Sequence, residues 1–157
     1  MVEKILSLEK VEDVVRHIRN ENKTIVFTNG CFDVIHSGHV RYLIEAKQLG
    51  DDLILGVNSD SSIKRLKGES RPINNEEDRL IVLAAFEMID FLVIFNEDTP
   101  YNLIQTIKPD FLVKGGDWKE EQIVGSDIVK SYGGKVLSLP YHQGRSSTVI
   151  IEKMNQL

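Results

Sequence analysis

The chain is poor in the residues that would point to several common classes of protein. It has a single cysteine, Cys31, in 157 residues. An intrachain disulfide is therefore excluded, and a reducing compartment is expected. It has no basic excess: 19 Lys and Arg stand against 24 Asp and Glu, a net charge of −5. That balance argues against a general nucleic-acid binder, which needs a basic face. It does not exclude a small polyanionic substrate, because local charge decides that case. No apolar run approaches the roughly 18 residues of a membrane span. No apolar core of a signal peptide occurs between Met1 and Glu12. A cytoplasmic protein without membrane contact is the expectation. There is no internal repeat, no low-complexity stretch, no G-x-G-x-x-G fingerprint and no Walker A sequence.

Apolar residues at 41% and charged residues at 27% fit one globular domain spanning residues 1–157. Strand and helix patterns alternate along it. A leading helix is expected over 8–22, with Val11, Val14, Val15 and Ile18 on one face. Continuous apolar runs predict five strands, at 24–28, 53–57, 91–95, 111–113 and 135–139. Between them helices are expected at 37–49, around 61–66, after Asn75, from Pro100 with Thr99 as cap to Ile107, at 126–132 and at 147–154. Apolar strands alternating with helices imply an α/β fold, a Rossmann-like, doubly wound parallel sheet of five strands with helices on both faces. Ligands of such sheets bind beyond the carboxyl ends of the strands. The segments 30–39, 58–71 and 114–117 and the loop after Leu139 all follow strands, so they should share one edge.

Gly30-Cys31-Phe32-Asp33-Val34-Ile35-His36-Ser37-Gly38-His39 is the most informative of these. It joins the first core strand to an amphipathic helix. Unpaired N–H groups and the positive end of the helix dipole suit an anion at that point. His36 and His39 share a helix face, and Gly38 lets a ligand approach the backbone. The functional reading is a pair of donors to phosphoryl oxygens. Structural histidines, or a zinc site built from Cys31, Asp33, His36 and His39, are the alternatives. Asp33 can equally bond its own loop. Thr28, Asn29 and Gly30 end the strand where a nucleotide can pass.

Lys64, Arg65, Lys67 and Arg71 form a basic cluster in an acidic chain, either a cover over phosphates or a solvated face. Arg79 can reach the same space or pair with Glu76 or Asp78. In Lys114-Gly115-Gly116-Asp117-Trp118, the glycines leave room for a base or sugar. Asp117 can cap a helix or accept from a ligand, and Trp118 can stack or pack. Gly144-Arg145-Ser146-Ser147-Thr148 opens the last helix as an anion nest, as simple caps, or as both.

Gly30 to His39 resembles the G-x-F-D-x-x-H-x-G-H signature of the cytidylyltransferase-like nucleotidyltransferases. Ser146-Ser147-Thr148 resembles their second, Ser/Thr-rich signature. Within that superfamily, Lys64 to Gly68, Arg71-Pro72-Ile73, Asp78-Arg79 and Leu112 to Trp118 resemble the adenylyltransferase domains that act on D-glycero-β-D-manno-heptose 1-phosphate. Arg145 departs from their pattern, which commonly has Cys-Ser-Thr-Thr after the glycine.

The resemblance implies transfer of AMP from ATP to a sugar 1-phosphate, assisted by Mg²⁺ held mainly by the triphosphate, with no protein metal ligand. The product would be an ADP-sugar, the heptose compound of lipopolysaccharide synthesis. It implies His36, His39, Lys64 and Lys67 as catalytic groups. Thr28, Asn29, Gly30, Phe32, Asp33, Gly38, Arg71, Arg79, Lys114, Gly116, Asp117, Ser146, Ser147 and Thr148 are implied to bind nucleotide. Transfer from CTP to glycerol 3-phosphate, and nucleotide sensing without turnover, are the competing expectations. A homodimer is compatible with all of them.

Overall fold

The computed structural model describes residues 2–140 and 146–157. Its centre is one parallel sheet of six strands: β1 (Ile5–Leu6), β2 (Ile25–Gly30), β3 (Asp52–Asn58), β4 (Phe91–Phe95), β5 (Phe111–Gly115) and β6 (Lys135–Leu139). Their spatial order is β1-β4-β3-β2-β5-β6. The expected α/β class holds, with six strands in place of five. The additional β1 has only two residues, paired with Leu92 and Val93 of β4. Two residues carry no readable periodicity.

Alternate strand residues feed two cores, because successive side chains leave a strand on opposite faces. Ile25, Phe27, Ile54 and Val93 face α1 (Leu8–Asn20), α5 (Tyr101–Ile107) and α6 (Ser126–Ser131), whose Val11, Ile18, Ile104, Ile107 and Val129 are buried against them. Val26, Leu53, Leu55 and Leu92 face α2 (Ser37–Lys47) and α4 (Glu76–Ala84) through Leu43, Ala46, Leu83 and Ala84. Burial on both faces explains why the strands read as unbroken apolar runs. The leading helix therefore has a structural role, since α1 carries the crossover from β1 to β2 and covers one face. It ends at Asn20, two residues before the expected limit. The short α3 (Asp60–Lys67) and the last helix α7 (Ser147–Met154) complete the fold. Among the described residues, no helix is long and apolar enough to cross a membrane.

The two edges of the sheet are finished differently. At the amino edge, three aspartates take up strand N–H groups. Asp51 accepts from Thr24 N at 2.8 Å, Asp90 from Leu53 N at 2.7 Å and Asp110 from Ile25 N at 2.7 Å. Lys47 pairs with Asp90, and Arg19 with Asp110. The carboxyl edge is left to loops and helix N-termini. Replacing Asp110→Ala strands the Ile25 N–H and removes the counter-ion of Arg19, which keeps its hydrogen bond to Lys108 O. It should cost about 1–3 kcal/mol, read from urea unfolding. Nucleotide affinity should stay unchanged, because the residue lies at the opposite edge from the candidate site.

Candidate active site

The chain leaves β2 toward β3 on one side, then returns after β4 to place β5 on the other. The crevice of such a switch point lies at the carboxyl ends of β2 and β5. There the structure has a cleft of about 560 Å³. Its floor is the 29–33 turn after β2. Its walls are the N-termini of α2 and α7, the end of α3 with the following loop, and the end of β5.

The turn folds around its own histidines. His36 is the N-cap of α2, in extended conformation, and its Nδ1 accepts from Gly38 N at 3.1 Å. His39 Nδ1 accepts from His36 N at 3.4 Å. This reciprocal arrangement satisfies two N–H groups that a helix start leaves over. It also decides the tautomer. A ring nitrogen that accepts from a backbone N–H carries no proton, so in each neutral ring the proton sits on Nε2. The rings stack with centroids 3.9 Å apart at 30°. Burial, then the neighbouring His36, then Lys67 push His39 down to about 4, so it is a neutral donor near pH 7.

Phe32 supports the pair, its ring 5.2 Å from His39. It adopts a left-handed φ of 48°, uncommon outside glycine. Its ring covers Gly30, where a Cβ would lie 2.9 Å from Phe32 Cε2. Glycine at 30 is thus required by this packing.

Asp33 is spent on the protein. It is buried, and its carboxylate accepts from Arg71 Nε at 2.7 Å, from Ile73 N at 2.8 Å and from Asn74 N at 2.8 Å. Asn74 Nδ2 donates back to its carbonyl at 2.6 Å. Burial alone would raise the Asp33 carboxyl, but the Asn74 and Ile73 N–H groups and Arg71 outweigh it and hold it below the usual carboxylate range. The bonding weighed for Asp33 from sequence was to its own loop; the structure instead bonds it to the 71–74 segment, and this clamp presents Arg71 to the cleft. Arg71 Nη2 is buried with no hydrogen-bond partner among the described residues.

The basic cluster divides. Lys67 and Arg71 line the cleft, Arg65 pairs with Asp98 at 2.7 Å, and Lys64 is exposed outside the cleft lining. Arg79 is 2% exposed. It donates to Cys31 O at 2.6 Å, Asn74 O at 3.1 Å and Asp60 Oδ1 at 2.8 Å, and so ties the turn to α3 and α4. Thr28 is buried and hydrogen-bonded to the Tyr42 hydroxyl. Lys114 and Gly115 line the cleft, whereas Gly116 and Asp117 do not. Gly116 N donates to Leu139 O at 2.8 Å, and Asp117 is exposed.

The second anion nest meets the first. Ser146 caps α7 by accepting from Val149 N at 3.2 Å. Ser147 Oγ donates to Val34 O at 2.7 Å, and with Thr148 these residues line the cleft. Gly144 and Arg145 lie outside the described residues. Among the described residues, no three His, Cys, Asp or Glu side chains converge on a possible metal position. Of the zinc alternative, both Nδ1 atoms and the Asp33 carboxylate are already engaged.

The cytidylyltransferase-like family profile matches residues 27–153, which takes in the turn, the cleft and α7. The chain belongs to the cytidylyltransferase-like family of nucleotidyltransferases. It is 54% identical over 151 residues to the bifunctional protein HldE of Syntrophotalea carbinolica, covering 96% of this chain and 31% of that protein. It is 53% identical to HldE of Nitratiruptor sp., with 96% and 32% covered. The chain thus spans about a third of the length of these relatives. A solved structure of a lipopolysaccharide core biosynthesis protein from Thermoplasma volcanium superimposes with a TM-score of 0.63 at 27% identity, covering 78% of this chain and 99% of that one. The pantoate-β-alanine ligase of Francisella tularensis shares the fold, with a TM-score of 0.64 at 17% identity over 98% of this chain and 78% of that one.

Three lining residues were not raised as site residues by the sequence reading: Tyr42, Pro140 and Val149. Tyr42 carried a usable signal, one helical turn beyond His39 on the same face. The others follow only from tertiary placement.

Two outcomes follow for this family member. Arg79→Met leaves two backbone carbonyls without their donor and should destabilise by about 2–4 kcal/mol. Its denaturant midpoint should fall even when the cleft is empty. His39 binds a proton less readily folded, at about 4, than unfolded, at the ordinary 6.5. The unfolded chain therefore holds more protons between those values, and stability rises with pH there. The contribution is complete above pH 6.5 and lost as pH falls toward about 4. Wild type should lose more stability than His39→Gln between about pH 7 and 5; equal losses would contradict the burial of a neutral ring.

Proposed function

We propose that this domain transfers AMP from Mg·ATP to a sugar 1-phosphate, D-glycero-β-D-manno-heptose 1-phosphate, releasing pyrophosphate and ADP-heptose. One observation carries the reading. Two helix N-termini, one bearing the stacked imidazoles and one the Ser146-Ser147-Thr148 hydroxyls, are joined by the Ser147–Val34 hydrogen bond at a single cleft. Such a double nest suits an extended polyphosphate. The 114–118 segment, the basic 64–71 segment and the HldE relatives at about half identity support the heptose acceptor. So does a fold neighbour named for lipopolysaccharide core biosynthesis.

The chemistry needs no protein nucleophile. An oxygen of the sugar phosphate attacks the α-phosphorus, the bond from that phosphorus to the α,β-bridging oxygen breaks, and pyrophosphate leaves with the electron pair. Catalysis then rests on positioning and charge stabilisation. Nε2–H of His36 and His39, at the start of α2, hold phosphate oxygens. The α7 N-terminus and Lys67 receive the β and γ phosphates, and Arg71 neutralises charge as the α,β bond stretches. Among the described residues, Asp33 is the only carboxylate in the cleft lining, and it is neutralised by Arg71. This lining offers Mg²⁺ no free anionic ligand, and the ion enters as part of the substrate, held by phosphates and water.

A panel of nucleoside triphosphates and phosphorylated acceptors with Mg²⁺, scored by pyrophosphate release, tests the reading. ATP with the heptose 1-phosphate should be the productive pair. His36→Ala and His39→Ala should each lower kcat by about 10²–10³ with the fold intact. Turnover with CTP and glycerol 3-phosphate in its place, or wild-type rates in both variants, would overturn it.

A further inference from the structure

Among the described residues, the cleft contains one half-buried cation without a counter-ion. Arg71 has Asp33. Lys67, at the exposed end of α3, is open to water. Lys114 is different: it stands on β5, half-buried, at the cleft wall. The neighbours described for its ammonium are the Trp118 ring, 6.0 Å from Nζ, and the Cys31 side chain. Among the described residues it forms no salt bridge to a carboxylate, in a chain with 24 acidic residues. Burial pushes its ammonium below the usual lysine range. A cation desolvated in this way is costly unless an anion completes the site.

Topology separates this charge from the others. Lys67 and Arg71 follow β3, on one side of β2; Lys114 lies near the end of β5, on the other side. An in-line displacement has the same polarity, with the leaving pyrophosphate and the attacking group on opposite sides of the α-phosphorus. Two anions must also approach each other, so the attacking one needs a cation of its own. Beside Lys114, Gly115 lines the cleft with bare backbone, which leaves space for a ring attached to that anion.

We infer that Lys114 is the binding residue for the acceptor's phosphate group, placed on the β5 side of the cleft and separate from the groups that hold the nucleotide. The inference rests on the transferase reading above, but its test does not depend on the heptose. The first arm uses Mg·α,β-methylene-ATP, then inorganic phosphate or glucose 1-phosphate added to the nucleotide-saturated protein. Binding is followed by calorimetry and by the fluorescence of Trp118, the only tryptophan. Lys114→Met should keep the nucleotide Kd within about twofold and weaken phosphate binding at least tenfold. Lys114→Arg should restore part of it. The second arm is steady-state kinetics with the heptose 1-phosphate. Lys114→Met should raise KM for the acceptor by about 10–100-fold, with KM for ATP unchanged. Should the methionine variant unfold, Lys114→Gln takes its place, with circular dichroism as the check.

Equal loss of nucleotide and phosphate affinity would overturn the inference, and so would no loss of either. Failure of wild type to bind phosphate after nucleotide would also overturn it. Failure of wild type to turn over the heptose 1-phosphate, with the binding arm as expected, would remove the heptose acceptor and leave the role of Lys114 standing.

Discussion

Everything the cleft can do depends on two backbone N–H groups being satisfied by imidazole. At the start of α2, Gly38 N and His36 N donate to the Nδ1 atoms of His36 and His39. Serine, aspartate or asparagine would cap a helix as well. Imidazole does something those residues cannot: by accepting at one ring nitrogen it fixes a donor at the other. The same contacts that fold the turn therefore set the proton where a phosphate oxygen is to be met. Burial, then the neighbouring His36 and Lys67, keep His39 neutral, so the pair does not carry two adjacent positive charges.

A second layer holds this turn against the rest of the fold. The buried Asp33 carboxylate gathers the 71–74 segment, and the Arg79 guanidinium gathers the Cys31 and Asn74 carbonyls. Both groups bond protein partners, and through them each fixes part of the cleft. Asp33 holds Arg71, and Arg79 holds the turn that carries the histidines. The contrast with the amino edge of the sheet is physical. There, aspartates consume the strand N–H groups and close the edge. At the carboxyl edge, loops and the N-termini of α2 and α7 line the cleft.

What could be read from the sequence follows the range of the interactions. The five long strands and the capped helices are short-range patterns, and they stand within a few residues of expectation. The His36–His39 turn was legible for the same reason, since its contacts span two or three residues. The fates of Arg79 and Asp33 were not. Arg79 finds Cys31 across 48 positions, and Asp33 finds Ile73 across 40; no local pattern announces such partners. Their charge suggested a ligand or a local partner, and the fold gave them distant protein partners instead. The basic cluster split for a similar reason: α3 turns Lys64 and Arg65 away from the side where Lys67 meets the cleft. β1 was missed because two residues cannot show a period.

The central claim is that both imidazoles are Nε2–H donors to phosphate. Nitrogen-15 NMR of histidine-labelled protein at neutral pH, with and without Mg·α,β-methylene-ATP, tests it most directly. The account predicts the Nε2–H tautomer at His36 and His39 in the free protein. It further predicts a large shift of both Nε2 signals when nucleotide binds, with the Nδ1 signals little changed. Protonated Nδ1 in either free ring, or Nε2 signals that ignore the nucleotide, would contradict it.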